Sequence, residues 1–171
     1  IGVNESKQSS NLIFGIPISL KTMSSSISTS RLFLRPFEDT DIQFVFQGLS
    51  HPDVIKYYGV NFESLEATKE QMDWFKNLEK TKTGQWWAVC SADQKTCYGA
   101  GGINEWSQEH EKAEIGFWLL PEFWGNGFMK EGMDAIVAHC FNELGIHRIE
   151  GFVDSHNTNC KRGLAKLGFQ Y

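Results

Sequence analysis

A chain of 171 residues suits one domain with a sizeable core, and 13 Phe with 6 Trp forecast an aromatic interior. A net charge of −5 with no basic run argues against nucleic acid as a partner; a solvated acidic surface explains it more simply than a cationic acceptor does. No apolar run approaches the ~20 residues of a membrane span, and Cys90, Cys97, Cys140 and Cys160 form no Cys-x-x-Cys pair, so they read as reduced thiols of a cytoplasmic protein.

Residues 1–30 differ from the rest and read as an N-terminal extension and linker. Met23 offers a native start, and Ser24 to Ser30 is almost all Ser and Thr. Asn11 to Leu20 is apolar without the basic lead of a signal peptide, and it would seek a partner surface. The domain proper, residues 31–171, opens with Leu32 and Leu34 in a strand stopped by Pro36. Asp39 or Thr40 then caps a short helix through Phe44, Val45 and Leu49. A turn at His51-Pro52-Asp53 leads to Tyr57 and Tyr58. Ser64 opens a longer helix to about Lys80, with Leu65, Met72, Phe75 and Leu78 inward.

Gln85 to Ala92 and Cys97 to Trp106 read as a hairpin around Asp93 to Thr96. Gly99, Gly101 and Gly102 in its second strand suggest a bulge or a close backbone approach. Lys112 to Leu120 continues the antiparallel run. After it, Met129, Met133, Ile136, Val137, Cys140, Phe141 and Leu144 mark one helix face, closed by Gly145. His147 to Asp154 reads as a strand parallel to Ile115–Leu120, reached through that helix as a crossover. Asn157 caps the last helix, with Cys160, Leu164 and Leu167 inward.

The most telling stretch joins the strand ending at Leu120 to the next helix. Gly125-Asn126-Gly127 lets the chain turn sharply, and the free N–H groups of the first helical turn make an anion site. Lys130 adds charge that Glu131 offsets. A P-loop is excluded because no Lys-Ser/Thr pair stands in register. A dinucleotide fingerprint is excluded because Lys130 occupies its third glycine.

This order of blocks resembles the GNAT superfamily of acyl-CoA-dependent N-acyltransferases, and within it the RimJ/RimL type that acetylates ribosomal-protein N-termini. The resemblance is carried by Thr29 to Phe37, Ala113 to Leu119, Trp124 to Met129, and Asn157 through Leu167-Gly168-Phe169. It implies an α/β (α+β) fold: a mixed, mostly antiparallel sheet with a splayed parallel strand pair, flanked by helices. It also implies one or two further strands after Phe169, which this sequence lacks; either the chain is truncated or another segment completes the sheet. Trp124 stands where the superfamily commonly has Gln or Arg.

The resemblance further implies acetyl-CoA as co-substrate. Its pyrophosphate would lie on Trp124, Gly125, Asn126, Gly127, Phe128 and Met129, and its arm along Trp118, Leu119 and Leu120 as an added strand. Glu114 matches the position of a general base, and apolar walls could raise its pKa; its alternative is a pair with Lys112 or Arg148. Asn157 matches an Asn that contacts the cofactor arm or the acceptor, although helix capping alone accounts for it. Cys160 stands where relatives carry Ser beside the thioester; as a thiol it could protonate the leaving group, or simply pack in the core. The superfamily's tyrosine acid has no counterpart beside Phe169, whereas Tyr57 and Tyr58 are candidate acceptor contacts.

Other chemistry fails on spacing. Asp154-Ser155-His156 are neighbours that cannot converge as a triad, and the five histidines show no metal-ligand spacing. What the resemblance implies is an N-acetyltransferase without metal, acting by direct transfer in a ternary complex on a primary amine, a protein or peptide N-terminus first. Its alternative is a non-catalytic acyl-CoA-binding module. Partners are acetyl-CoA, the amine and, as one option, a second copy in a homodimer.

Overall fold

A six-stranded sheet in the order β1-β2-β3-β4-β5-β6 organises the computed structural model, which describes residues 25–170. Its strands are β1 (Ile27–Ser28), β2 (Leu32–Pro36), β3 (Gln85–Ser91), β4 (Cys97–Ser107), β5 (Lys112–Leu119) and β6 (Arg148–Glu150). All neighbours pair antiparallel except β5 and β6, which run parallel. The helices are α1 (Ile42–Leu49), α2 (Pro52–Ile55), α3 (Leu65–Thr81), α4 (Phe128–His139) and α5 (Thr158–Lys166).

Alternation along the strands sends successive side chains to opposite faces, and both faces are covered. Leu32, Leu34, Trp87, Val89, Ile103 and Ile115 meet Met133, Ile136 and Leu144 on one side. Trp86, Ala100 and Trp118 meet Val45, Leu49, Met72, Phe75 and Leu78 on the other. This double burial is why β3 is closed to solvent from Gln85 to Cys90. In β4 the backbones of neighbouring strands approach closely, as the glycines forecast. A Cβ at Gly101 would strike the Phe117 ring, and one at Gly102 the Gln85 carbonyl.

Five readings change. The described part of the Ser-rich stretch is no linker. Ile27–Ser28 pairs with β2, and the Ser25 carbonyl accepts from Trp87 Nε1 at 2.9 Å. Composition points to a linker, but here the backbone, which composition does not register, finds partners. Asn11 to Leu20 lies outside the described residues. Leu65 is 40% exposed because it occupies the first helical position, before α3 meets the sheet.

The helix after the glycine loop turns π-helical over Cys140–Leu144. The wider turn rotates Phe141 off the buried stripe, leaving it exposed. The strand expected over His147 to Asp154 shrinks to Arg148–Glu150, because β6 pairs with β5 only through Lys112–Glu114 before the two diverge.

The last change concerns the thiols. Cys90 and Cys97 face each other across the β3–β4 hairpin and form a disulfide, whereas Cys140 and Cys160 are free. Their seven-residue separation, centred on the turn, puts the two sulfurs on one rung. A search for redox motifs alone passes over such a pair.

Candidate active site

The site lies where β5 and β6 part. Beyond Glu114 the edge of β5 has no strand beside it among the described residues. At its C-terminal end the chain passes through a short 3-10 turn, Pro121–Phe123, into the glycine loop. Gly125 and Gly127 have φ of 78° and 79°, the left-handed region that side chains with a Cβ avoid, and Gly127 is the N-cap of α4. The N–H groups of residues 125–130 find no hydrogen-bond partner among the described residues; the first to be satisfied is that of Glu131, by the Gly127 carbonyl at 3.1 Å. Such a row of free donors at a helix N-terminus is built for an anion of several oxygens, and a pyrophosphate fits it.

Side chains hold the loop in shape. Asn126 Nδ2 donates to the Phe123 and Trp124 carbonyls, each at 3.2 Å. Trp124 Nε1 donates to the Leu119 carbonyl at 2.8 Å, so its indole ties the loop to β5 in place of a charged residue. Phe128 stacks on Tyr98 with centroids 4.6 Å apart, and Met129 packs against Gly163 of α5. Phe128 and Met129 therefore leave only their backbones to a ligand.

Leu120 is more occupied than a strand-like arm requires. Its N–H donates to the Tyr98 carbonyl, and its own carbonyl accepts from Phe123. Trp118 turns its ring into the core against Phe44, 5.4 Å between centroids.

The positive charge at the loop is not where sequence put it. Lys130 pairs with Asp134 at 2.5 Å, one turn along α4. Arg31 stands over the loop instead. Its Nη1 donates to the Asn126 carbonyl at 3.0 Å, its guanidinium lies 4.8 Å above the Phe128 ring, and Nη2 is 3.5 Å from where a Gly127 Cβ would be. Glu131 fixes this arginine, accepting from Nε at 2.6 Å and also from Thr29, Ser30 and the Arg31 N–H. Burial would raise the Glu131 carboxyl, but these hydrogen bonds prevail and hold it below its ordinary value. Sequence reasoning missed Arg31 because almost a hundred residues separate it from the loop; its only signal was its place at the head of the opening strand.

On the other side of the fork, Glu114 accepts from Asn104 Nδ2 at 3.2 Å. Lys112 and Arg148 both turn to Glu150, Lys112 at 3.3 Å, so neither pairs with Glu114. Asn157 caps α5, its side-chain oxygen accepting from the Cys160 N–H at 3.1 Å. Cys160 is half-buried, and burial pushes its thiol up, keeping it protonated at neutral pH.

A cavity of about 530 Å³ opens beside the fork, walled by Trp74, Phe75, Trp86 and Trp118, with Tyr58 and Glu70 also lining it. Tyr58 is thus a cavity residue, whereas Tyr57 turns outward beneath Lys56. Glu114, Gly116 and Trp118 share the face of β5 that looks toward this cavity. Among the described residues there is no group of acidic, His or Cys side chains fit to hold a metal.

Comparison with known proteins identifies the family and the fold. The family model described as "Acetyltransferase (GNAT) domain" matches residues 31–170. The uncharacterized N-acetyltransferase YoaA of Bacillus subtilis is 37% identical over 145 residues, 84% of this chain and 82% of that protein. Mycobacterium smegmatis RimJ, solved with CoA-disulfide, superposes with a TM-score of 0.75 at 17% identity, over 86% of this chain and 76% of its own. A spermidine N-acetyltransferase from Vibrio cholerae, solved with CoA and spermine, gives 0.74 at 22% identity, over 83% and 82%. A matching model over nearly the whole described chain and a relative of this identity show that the protein belongs to the GNAT family of N-acetyltransferases.

Proposed function

We propose that this acyltransferase moves the acetyl group of acetyl-CoA directly onto a primary amine, in the first place the N-terminal amine of a protein or peptide. The observation that carries the reading is the row of unpartnered N–H groups over residues 125–130, at the end of a strand whose edge is open. Backbone and Arg31 would hold the pyrophosphate, and the exposed edge of β5 would take the pantetheine arm, leaving the thioester at the fork. Glu114, oriented by Asn104 and without a cationic partner, would take the proton of the incoming ammonium, directly or through one water. Asn157 caps α5 through its side-chain oxygen, and burial keeps Cys160 a thiol, so the first turn of α5 would offer both toward the cofactor arm.

A polyamine is the second reading. Glu70 is the charged side chain lining the cavity, no Lys or Arg lines it, and aromatic faces attract cations. A cytoplasmic setting goes with acetyl-CoA as co-substrate, although the Cys90–Cys97 disulfide is a feature more common in oxidising compartments. The test is CoA release with a panel of peptide N-termini, polyamines and amino acids, beside calorimetric titration with CoA. Turnover with peptides above all others supports the reading. CoA binding without turnover of any amine would mean a binding module.

A further inference from the structure

Tyr58 enters the site from the loop after α2, an element the fold does not otherwise use for chemistry. Its hydroxyl finds no hydrogen-bond partner among the described residues and lies 3.6 Å from where a Cβ at Gly116 would stand. Gly116 is the second residue past the end of the β5–β6 pairing, so the hydroxyl reaches β5 where the strands part. The absence of a side chain at residue 116 leaves this point to Tyr58 and the Trp86 ring, whose atoms lie 2.6–2.7 Å from the same Cβ position. Glu114 lies two residues away on the same face, about 7 Å along the strand. Cys160 is near enough for its charge, were it ionised, to oppose that of the phenol.

We propose that Tyr58 is a catalytic residue: its hydroxyl donates a hydrogen bond to the thioester sulfur as that sulfur departs. This rests on the reading above, which puts the thioester at the fork. The amine nitrogen bonds to the acetyl carbon, the carbon–sulfur bond breaks, and its electron pair goes to sulfur. The amine's proton goes to Glu114. The thiolate leaves hydrogen-bonded to Tyr58 and takes its proton from water on release, and Tyr58 keeps its own proton throughout. Burial suits the phenol to this task. It pushes the pKa well above the ordinary tyrosine value, with a smaller push from Cys160, so the group is a neutral donor at any working pH. A preorganised donor aimed at developing charge contributes about a hundredfold or more in rate.

The experiment follows the ultraviolet absorbance of the CoA thiolate as pH is raised, for CoA free, bound to the wild type, and bound to Tyr58→Phe. The signal of each protein alone is subtracted to remove Cys160. The thiol of CoA on the wild type should titrate below free CoA, and the Phe variant should return it toward the free value. With an accepted amine, Tyr58→Phe should lower kcat about a hundredfold, with KM for acetyl-CoA and the melting temperature held, since the ring is kept. A wild-type complex that leaves the thiol at its free value overturns the proposal, as does a variant that turns over within twofold of wild type. If no amine is accepted, the transferase reading fails, while the titration still decides whether Tyr58 meets the sulfur.

Discussion

Glu114 shows how a residue's role follows from what its neighbours do. Lys112 and Arg148 are both within reach of this strand end, yet both pair with Glu150, which lies opposite Glu114 on β6. Hydrogen bonds to Arg148 and Lys112 hold the Glu150 carboxyl below its ordinary value. Glu114 is left with one neutral amide, which orients it without competing for its proton. Replacing Glu114 by Gln should leave acetyl-CoA affinity intact and lower kcat/KM about 10²-fold, the scale of a lost general base. The acidic limb of the pH–rate profile should move or vanish in the variant. Turnover within twofold of wild type across the pH range would assign Glu114 a structural role.

At the scale of elements, the proposed binding falls to the junction of β5 with α4. Its donors are backbone, so the sequence requirement falls on conformation rather than on side-chain chemistry. Gly125 has open space where a Cβ would go, which makes its positive φ the obstacle to substitution. Gly127 at φ 79° cannot be proline, whose ring holds φ near −65°. Both Gly125→Val and Gly127→Pro should weaken acetyl-CoA binding at least tenfold, about 1.4 kcal/mol, as calorimetry would read it. Wild-type affinity in both variants would show that the loop does not hold the phosphates.

Across the whole molecule, the start of the described chain is fastened to α4 through Glu131, which gathers Thr29, Ser30 and Arg31 around one carboxylate. Because its folded pKa lies below the ordinary carboxylate value, this contact stabilises fully above that value. The stability is lost as pH falls through the lowered folded value. Glu131→Gln should therefore melt lower than wild type at neutral pH, with the gap closing as the solution becomes acidic. Melting curves from neutral to acid pH would check this. A gap that is constant with pH would mean that the carboxylate's charge is not what holds the contact.

How much of this was legible beforehand divides along a physical line. The sequence by itself determined what depends on local pattern: the hairpin, the long third helix, the glycine hinge with its free N–H groups, and the caps at Ser64 and Asn157. Alternation, helical periodicity and special φ values are properties of a few neighbouring residues, and they survive folding unchanged. The tertiary structure decided what depends on which residues meet across the sheet. It brought Arg31 over a loop far along the chain, turned Lys112 from Glu114 to Glu150, closed Cys90 onto Cys97, and cut β6 short so that the edge of β5 stays open. It also placed the Tyr58 hydroxyl at Gly116. Apart from the Cys90–Cys97 pair, which its own hairpin brings into register, each of these is a contact between distant segments, set by sheet register and helix packing, which no local stretch of the sequence encodes.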